Sequence, residues 1–450
     1  MRRSPTMEEK SPQALDMLVA NGTIATADGT ERCDIGIRNG KISNLGKLTD
    51  SPTKQAFDAT GLHILPGVID SQVHFREPGN MQKEDMLTGS KAALLGGVTT
   101  VFEMPNTSPS TTTKETFDDK LQRAKGRYHC DYGFFIGASP ENIESLPLLE
   151  RLPGCSGVKI FMGSSTGSLL IPTDELLEQV LQSGSRRAAV HSEDEERLNE
   201  RKTIRDSGGG VELHPIWRDE ETAIRSTKRL LKLAKAANRK VHVLHVTTSK
   251  EIELLEQARD IATVECTPQH LTLFSPECYE RLGTYAQMNP PIREKIHQDR
   301  LWYAVRNNFV DIIGSDHAPH LKVNKEKSYP DSPSGMPGVQ TLLPVMLNHI
   351  NNGKLKLEQL MKFICENPVK IFGIKNKGYI KKDFDADLTI VDLNRKITID
   401  NKDMQSKCKW TPYHGETFKG SPVATIIAGK IKMKNGSLIG ELEGTPLEFI

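Results

Sequence analysis

The amino-acid sequence predicts an α/β fold, a (β/α)8 TIM-like barrel with a small β-sandwich built from both chain ends. Three observations predict it. The middle of the chain alternates short apolar runs with patterns that are typical of amphipathic helices. Both ends alternate short strands with turns. Several apolar runs of the middle also end in a residue that can bind a metal or a substrate.

Hairpin signals mark both ends of the chain. Asn21-Gly22 and Asn39-Gly40 accompany short strand patterns near the start, and Asn435-Gly436 does the same near the end. Strands from the two ends could therefore pair in one composite sandwich, and the alternative is two unrelated pieces that flank the barrel. The predicted boundaries are 1–14 for a loose N-terminal extension, 15–65 plus 376–450 for the sandwich, and 66–375 for the barrel.

The middle of the chain supplies eight candidate strands and the helical patterns between them. The candidate strands are Ile64–Ile69, Val98–Glu103, Tyr132–Gly137, Gly157–Phe161, Ala188–His191, Val241–Val246, Ala262–Cys266 and Val310–Gly314. The clearest helical patterns are Asp85–Leu95, Thr173–Leu181, Glu221–Ala236 and Ser249–Ala258. A doubly wound open sheet is the alternative, but no glycine-rich phosphate turn follows the first strand. Tyr329–Gly338 is rich in Pro, Gly and Ser, and we predict that it is a mobile lid.

Composition excludes several classes of function. The net charge of +1 gives no indication of nucleic acid or of an anionic surface as a partner. Seven cysteines without CxxC pairs suggest free thiols in a reducing compartment. No apolar stretch approaches the roughly 20 residues that span a bilayer. We therefore expect a soluble cytoplasmic protein that binds no nucleic acid and no membrane.

The polar residues at the strand ends form a set that suits a metal. Asp316 directly follows a buried apolar run, where a carboxylate needs a metal, a proton or a partner. A lone histidine at a strand end is usually structural, but here three of them share the edge with Asp316 and an inward lysine. Imidazole and carboxylate suit zinc well. The predicted metal-binding set is His74, Lys159, His191, His245 and Asp316.

Lys159 lies inside an apolar strand, which is an expensive place for an ammonium group. The side chain must pair, lower its pKa or be chemically masked. A neutral lysine amine can react with carbon dioxide to give a carbamate, which is anionic and offers two oxygens. We therefore predict a carboxylated Lys159 that could bridge two metals.

Three segments resemble the signature motifs of the cyclic amidohydrolases, and most closely those of the dihydroorotase family. They are residues 66–79, Met104–Thr107 and Ser315–His320. The resemblance covers essentially the whole chain, including the split sandwich, and implies a barrel of the metal-dependent hydrolase type. Hydantoinases, dihydropyrimidinases and allantoinases share this fold. The pairing of Phe75–Gly79 with Met104–Asn106 favours dihydroorotase, because that enzyme must hold a substrate carboxylate.

The resemblance also implies a role for individual residues. The five members of the metal-binding set match family ligands, and Asp316 matches the catalytic acid and base. Arg76 and Asn106 match residues that bind the substrate carboxylate, although Arg76 could instead form a salt bridge with Glu77, and Asn106 could be a turn residue. The predicted substrate-binding residues are Arg76, Asn106, Asn289, His320 and, through its backbone, Gly335.

Gln72 departs from the family pattern, which usually begins its metal motif with His-x-His. A glutamine amide oxygen is a weaker zinc ligand than imidazole. The site formed by His74, Lys159 and Asp316 should therefore hold its metal loosely or be empty. We predict one tightly bound zinc at His191, His245 and Lys159, and leave the second zinc open.

The activity that the resemblance implies is the reversible cyclisation of N-carbamoyl-L-aspartate to L-dihydroorotate. In the hydrolytic direction a metal-activated hydroxide would attack the cyclic amide. Two alternatives remain. One is a hydantoinase, dihydropyrimidinase or allantoinase activity, and the other is a catalytically silent homologue that serves as a scaffold. The expected partner is a small-molecule substrate, and a homodimer is only a family-level expectation.

Overall fold

Three sheets organise the residues that the computed structural model describes, which are 14–165 and 169–450. One sheet has eight strands, one has seven and one has four. Residues 1–13 of the predicted extension lie outside the described residues. None of the described helices combines the length and the apolar composition that crossing a membrane requires.

The eight-stranded sheet is the predicted barrel. Its strands pair in sequence order, and every pairing is parallel. The barrel closes where His74 N–H donates to the carbonyl of His317 at 2.8 Å, and a parallel bridge joins Val73 to His317. Its strands, in chain order after seven earlier strands, are β8 Val68–Val73, β9 Val98–Glu103, β10 Asp131–Gly137, β11 Cys155–Phe161, β12 Ala188–His191, β13 Val241–Val243, β14 Ala262–Cys266 and β15 Ile312–Ile313.

Helices surround the barrel, and their apolar faces and the strands form the largest buried core. Side-chain caps define several of their starts. Asp85 accepts from Thr88 N, and Thr248 and Glu251 form a capping box. The helices are α1 Met86–Leu95, α2 Lys114–Ala124, α3 Leu146–Leu149, α4 Asp174–Gln182, α5 Glu195–Glu200, α6 Lys202–Arg205, α7 His214–Trp217, α8 Glu220–Ala236, α9 Ser249–Glu256, α10 Pro268–Thr272, α11 Glu277–Leu282, α12 Lys295–Arg306, α13 Lys322–Lys325, α14 Leu342–Asn351, α15 Leu357–Met361 and α16 Asn367–Phe372.

The other two sheets form the sandwich that was predicted from both chain ends. The four-stranded sheet has the order β5-β4-β1-β6, and the seven-stranded sheet has the order β19-β18-β17-β16-β7-β2-β3. Their buried core combines Ile24 and Ile64 of the first part with Leu388 and Ile426 of the last. The strands are β1 Met17–Ala20, β2 Thr23–Thr26, β3 Gly29–Arg32, β4 Asp34–Arg38, β5 Lys41–Gly46, β6 Ala56–Asp58, β7 His63–Pro66, β16 Leu388–Thr398, β17 Thr417–Ile427, β18 Lys430–Lys434 and β19 Ser437–Leu438. The exact domain boundaries stay a prediction.

The first predicted barrel strand, Ile64–Ile69, was wrong in its bounds. Its first part belongs to β7 of the sandwich, and the barrel strand begins at Val68. Gly67 separates the two strands and donates its N–H to the carbonyl of Asp387. A Cβ atom at Gly67 would lie 2.5 Å from Thr99 Oγ1 and 2.8 Å from the Cβ of Asp387, so the chain crosses between the two sheets at a point without room for a side chain.

Two other barrel strands are shorter than predicted. The sixth ends at Val243 rather than Val246, and the eighth spans only Ile312–Ile313. In both places the chain leaves the ladder as it reaches the barrel mouth, so His245 and Asp316 lie beyond the strand ends.

The predicted lid contacts the mouth of the barrel. Gly335 N–H donates to the carbonyl of Gln287, and the carbonyl of Ser334 lies 3.0 Å from His320 Nε2. The indole of Trp410, from the segment between β16 and β17, donates to the carbonyl of His320 at 2.7 Å. The movement of the lid stays a prediction.

Candidate active site

A cavity at the carboxyl ends of the barrel strands collects almost all of the predicted site residues. Of the ten residues named from the sequence, only His320 does not line it, and His320 contacts Arg76 at its edge. Apart from Gln72, which departs from the family pattern, the remaining residues of the lining were not identified from the sequence. The full lining is Gln72, His74, Arg76, Asn106, Lys159, Phe161, Ser165, His191, His245, Asn289, Asp316, Ala318, Ser334 and Gly335.

Three of these side chains are presented by a strained backbone. Arg76, His245 and Asp316 have φ angles of 62°, 37° and 44°, in the left-handed region that residues other than glycine rarely adopt. Each of them lies just beyond the end of a barrel strand. Such strain persists only where the surroundings fix the conformation, and it concentrates at sites that bind or react.

His74 and Asp316 form what we name the first donor pair. His74 Nε2 lies 3.2 Å from Asp316 Oδ1, and His74 Nδ1 lies 2.8 Å from Asn106 Oδ1. The amide oxygen and the carboxylate oxygen can only accept, and the single proton of a neutral ring can serve only one of them. Burial lowers the pKa of His74 to about 4, which keeps the ring neutral at pH 7.

Gln72 contacts the same carboxylate. Its amide nitrogen donates to Asp316 Oδ1 at 3.1 Å, and its amide oxygen is buried without a hydrogen-bond partner among the described residues. The side chain that replaces the family histidine therefore points into the site, and it supplies a neutral amide there.

His191 and His245 form the second donor pair. Nδ1 of His191 lies 3.1 Å from Nε2 of His245, and Nε2 of His191 lies 2.9 Å from Glu193 Oε2. Burial lowers the pKa of both imidazoles, which favours the neutral form of each ring. Burial raises the pKa of Glu193, but Arg218 and His191 outweigh it and hold that pKa well below its usual range.

Lys159 is almost completely buried in the same cavity. Its ammonium makes no hydrogen bond or ion pair with any described residue, and it lies 4.5 Å from the centre of the Phe161 ring. Burial lowers its pKa to about 7, against the opposite influence of the Asp316 and Glu265 carboxylates. A substantial fraction of the amine is therefore neutral at pH 7.

The donor set fits a metal. The neutral ring of His74 has one proton for two oxygen acceptors, so one of its two contacts is unfavourable without a cation, and Nδ1 of His245 is a buried atom without a partner in the described chain. With Zn–N bonds of about 2.0–2.1 Å, two nitrogens of a tetrahedral site lie about 3.3 Å apart, close to the separation in the second donor pair. Among the described residues, no three His, Cys, Asp or Glu side chains form a metal cluster by themselves. A carboxylated Lys159 would supply the missing ligand to each pair.

Arg76 brings a buried positive charge to the cavity. The residue is only 4% exposed, and burial lowers its pKa to about 10, so it stays charged. Its Nη2 lies 3.4 Å from His320 Nε2, while Nε is buried without a partner among the described residues. The alternative contact with Glu77 is not formed, because the Glu77 carboxylate pairs with Arg127 and accepts from Met86 N.

Asn289 is oriented by a histidine that sequence analysis did not identify. His214 Nε2 lies 2.9 Å from the carbonyl of Met288 and 3.0 Å from Asn289 Oδ1. Because both partners are acceptors, Nε2 carries the proton, and the amide nitrogen of Asn289 is directed to Ser165 in the lining at 3.4 Å. No sequence signal marks His214, because it follows no apolar strand. Glu193, by contrast, lies two residues after His191, a spacing that places it on the same face of an extended chain.

Comparison with known proteins identifies the family and agrees with the fold. The model of the amidohydrolase family matches residues 63–432, and that of the N-terminal domain of the urease alpha-subunit matches residues 1–64. The chain is 34% identical over 420 residues to a dihydroorotase of Methanosphaera stadtmanae, covering 88% of this chain and 92% of the relative. It is 31% identical over 447 residues to an L-hydantoinase of Paenarthrobacter aurescens, covering 95% and 96%. A solved L-hydantoinase (dihydropyrimidinase) from Arthrobacter aurescens superimposes with a TM-score of 0.91 at 30% identity, covering 95% of this chain and 98% of that one.

Proposed function

This chain belongs to the amidohydrolase family, and on that premise we propose that it is a dihydroorotase, which interconverts L-dihydroorotate and N-carbamoyl-L-aspartate in pyrimidine biosynthesis. The observation that carries the proposal is Arg76. Its buried guanidinium lines the cavity, and the carboxylates that attract it, Asp316, Glu103 and Glu84, form no direct ion pair with it, so a substrate anion would compensate its charge. Dihydroorotate supplies a carboxylate, whereas hydantoin and allantoin do not.

The residues around Arg76 support a clamp for that carboxylate. Planar guanidinium donors match the two oxygens of a carboxylate, and a lysine cannot reproduce this geometry. Asn106 lines the same cavity and His320 contacts Arg76, and we assign both to the same substrate group. Fixing the carboxylate in this way orients the ring amide toward Asp316.

Asp316 is the group that moves the proton. In hydrolysis the oxygen of a water molecule bonds to C4 of the ring, and the bond between C4 and N3 breaks. Asp316 accepts one proton of that water and delivers it to N3, which leaves as the ureido nitrogen, while C4 becomes a carboxylate and the second proton of the water passes to solvent. When bound, a divalent metal would polarise the C4 carbonyl and lower the pKa of the attacking water. Cyclisation is the same sequence reversed.

Two sets of residues would hold metal. We propose that the second donor pair and carboxylated Lys159 bind one zinc tightly. The first donor pair and Lys159 would bind a second ion weakly, because Gln72 offers an amide where the family usually has an imidazole. Cytoplasmic location and a homodimer stay predictions.

Hydantoin hydrolysis is the second candidate, since the similarity to L-hydantoinase is as extensive as that to dihydroorotases. Dihydropyrimidines and allantoin belong to the same candidate class of uncharged cyclic amides. The buried charge of Arg76 disfavours all of them. A silent scaffold is a weaker alternative, because a scaffold has no physical need for five converging metal-binding residues.

The test compares substrates on one zinc-analysed sample. We expect the purified protein to consume dihydroorotate faster than hydantoin, dihydrouracil or allantoin. Arg76→Lys should raise KM for dihydroorotate about 10- to 100-fold, the value of one charged hydrogen bond, and should change kcat less. Arg127→Lys is the matched control, because this arginine pairs with Glu77 away from the cavity lining.

Several outcomes would contradict the proposal. Faster turnover of an uncharged cyclic amide would favour the hydantoinase alternative, and so would a KM for dihydroorotate that Arg76→Lys leaves unchanged. A sample without metal and without turnover of any of these substrates would indicate the silent homologue.

A further inference from the structure

We propose that Glu193 and Arg218 form a positioning pair that fixes which ring nitrogen of His191 faces the metal. This inference rests on the proposed function, because it assumes that the second donor pair binds zinc. The inference adds to the proposed function two residues, Glu193 and Arg218, that contact neither the substrate nor the metal. The pair acts by orienting the ring of His191. Disrupting it should lower the affinity for zinc, and any loss of catalysis should follow from that lower affinity.

The first step is the contact between Glu193 and the ring of His191. An ionised carboxylate can only accept hydrogen bonds, so the 2.9 Å contact between Oε2 and Nε2 places the ring proton on Nε2. A neutral imidazole carries one such proton, and Nδ1 therefore keeps its lone pair. That lone pair is directed at Nε2 of His245, 3.1 Å away, where the cation would bind.

Arg218 secures the carboxylate from the opposite side. Its Nη2 donates to Glu193 Oε2 at 2.6 Å, and its Nε lies 3.1 Å from Oε1. Both side chains are almost completely buried, at 0% and 3% exposure. Because the guanidinium supplies only donors, it keeps both oxygens of Glu193 as acceptors and prevents the side chain from rotating away from His191.

Arg218 is itself fixed on three sides. It is the C-cap residue of α7, and its N–H donates to the carbonyl of His214. Its Nη2 also donates to the carbonyl of Ser164 at 2.6 Å, and its own carbonyl accepts from Arg293 at 2.7 Å. Through these contacts the ring of His191 is connected to α7 and to Ser164, which precedes Ser165 of the cavity lining.

The partner imidazole lacks any comparable support. Nδ1 of His245 is buried and has no hydrogen-bond partner among the described residues. Of the two rings in the second donor pair, only that of His191 is thus oriented by a charged group of the described chain.

A merely structural ion pair is the alternative, and the chain contains one for comparison. Glu150 and Arg239 are equally buried, at 0% and 3% exposure, with a contact of 2.7 Å. Glu150 also accepts from the backbone N–H of Ser185, which precedes β12, so this pair lies at the end of the barrel opposite His191. Removing its charge should disturb folding in a similar way without reaching the metal.

The experiment measures zinc affinity with zinc alone, by competition with a fluorescent chelator in bicarbonate buffer. Glu193→Gln should weaken zinc binding about 10- to 100-fold in folded protein, the usual effect of losing a carboxylate that supports a ligand histidine. Glu150→Gln should leave the zinc affinity unchanged. Thermal unfolding of the metal-free proteins, followed by circular dichroism, should show that both variants fold.

Arg218→Lys provides a second measurement in case Glu193→Gln does not fold. It keeps the positive charge but loses the paired donors, so zinc affinity should also fall, by a smaller factor than in Glu193→Gln. Folded variants at Glu193 and Arg218 with the zinc affinity of the parent would overturn the inference. A parent that binds no zinc would overturn both proposals. The variants could bind zinc more weakly, as expected, while the parent does not consume dihydroorotate. That result would support the positioning pair and contradict only the dihydroorotase proposal.

Discussion

The two halves of the cavity, which are the first and the second donor pair with their surroundings, differ in their donor atoms and in the contacts that support them. In the second donor pair, His191 is oriented by the carboxylate of Glu193, which the guanidinium of Arg218 secures. In the first donor pair, the surrounding contacts are the amides of Asn106 and Gln72. A buried carboxylate raises the basicity of an imidazole more than an amide does. If both pairs bind zinc as we propose, the supporting contacts as well as the ligands set the zinc affinity, and the second donor pair should retain zinc more strongly.

Lys159→Ala should have the largest effect, because the proposed carboxylated Lys159 is a ligand in both halves. Zinc should be lost from both, and turnover of dihydroorotate should fall below detection. Short carboxylic acids with bicarbonate should restore part of the bound zinc by replacing the lost carbamate. Lys325→Met is the control, since Lys325 is equally buried but bonds to the carbonyls of Gln287 and Pro333. If metal analysis showed that the variant lost zinc from only one donor pair, Lys159 would not be a ligand in both pairs.

Asp316→Asn should separate catalysis from metal binding in the first half. The amide keeps the size of the side chain but cannot accept and return a proton, so kcat should fall about 10²- to 10⁴-fold. The zinc held by the second donor pair should remain, and metal analysis of the same sample checks this. A variant that loses all of its zinc would show that the halves are not independent.

Gln72→His should have the smallest effect on the turnover rate. It should make the two donor pairs more alike in their affinity for zinc. An imidazole at this position restores the ligand that the first half lacks, so the zinc content should rise toward two per chain. The parent, dialysed against a mild chelator, should lose zinc in two steps, whereas the variant should retain both ions longer. If the parent retained both zinc ions equally, this would contradict the expected difference in zinc affinity between the two donor pairs.

The sequence was sufficient to predict the fold for a physical reason. Parallel strands that are buried on both faces read as apolar runs, and a composite sandwich reads as hairpins at both ends. What the runs could not show is where the chain changes sheets. Ile64–Ile69 is continuous in hydrophobicity, and only the close approach of Thr99 and Asp387 to Gly67 divides it.

The site was predictable to the extent that strand ends supply its residues. His74, Lys159 and Asp316 could be located in this way, and the structure brings them to one cavity, while their roles stay predictions. Residues that act from loops were not predictable. Arg218 and His214 follow no strand, and their contacts depend on how α7 packs against the barrel. Gln72 is the opposite case, because its departure from the family pattern is visible in the sequence alone.

The position of β16 between β7 and β17 has a consequence for synthesis on the ribosome. Strand β7 is made early, but its antiparallel partner β16 is made only after the entire barrel. Until then, one edge of β7 remains unpaired and available to other chains. A chaperone that covers β7 during translation should therefore raise the yield of folded protein, and chains released before β16 is complete should aggregate.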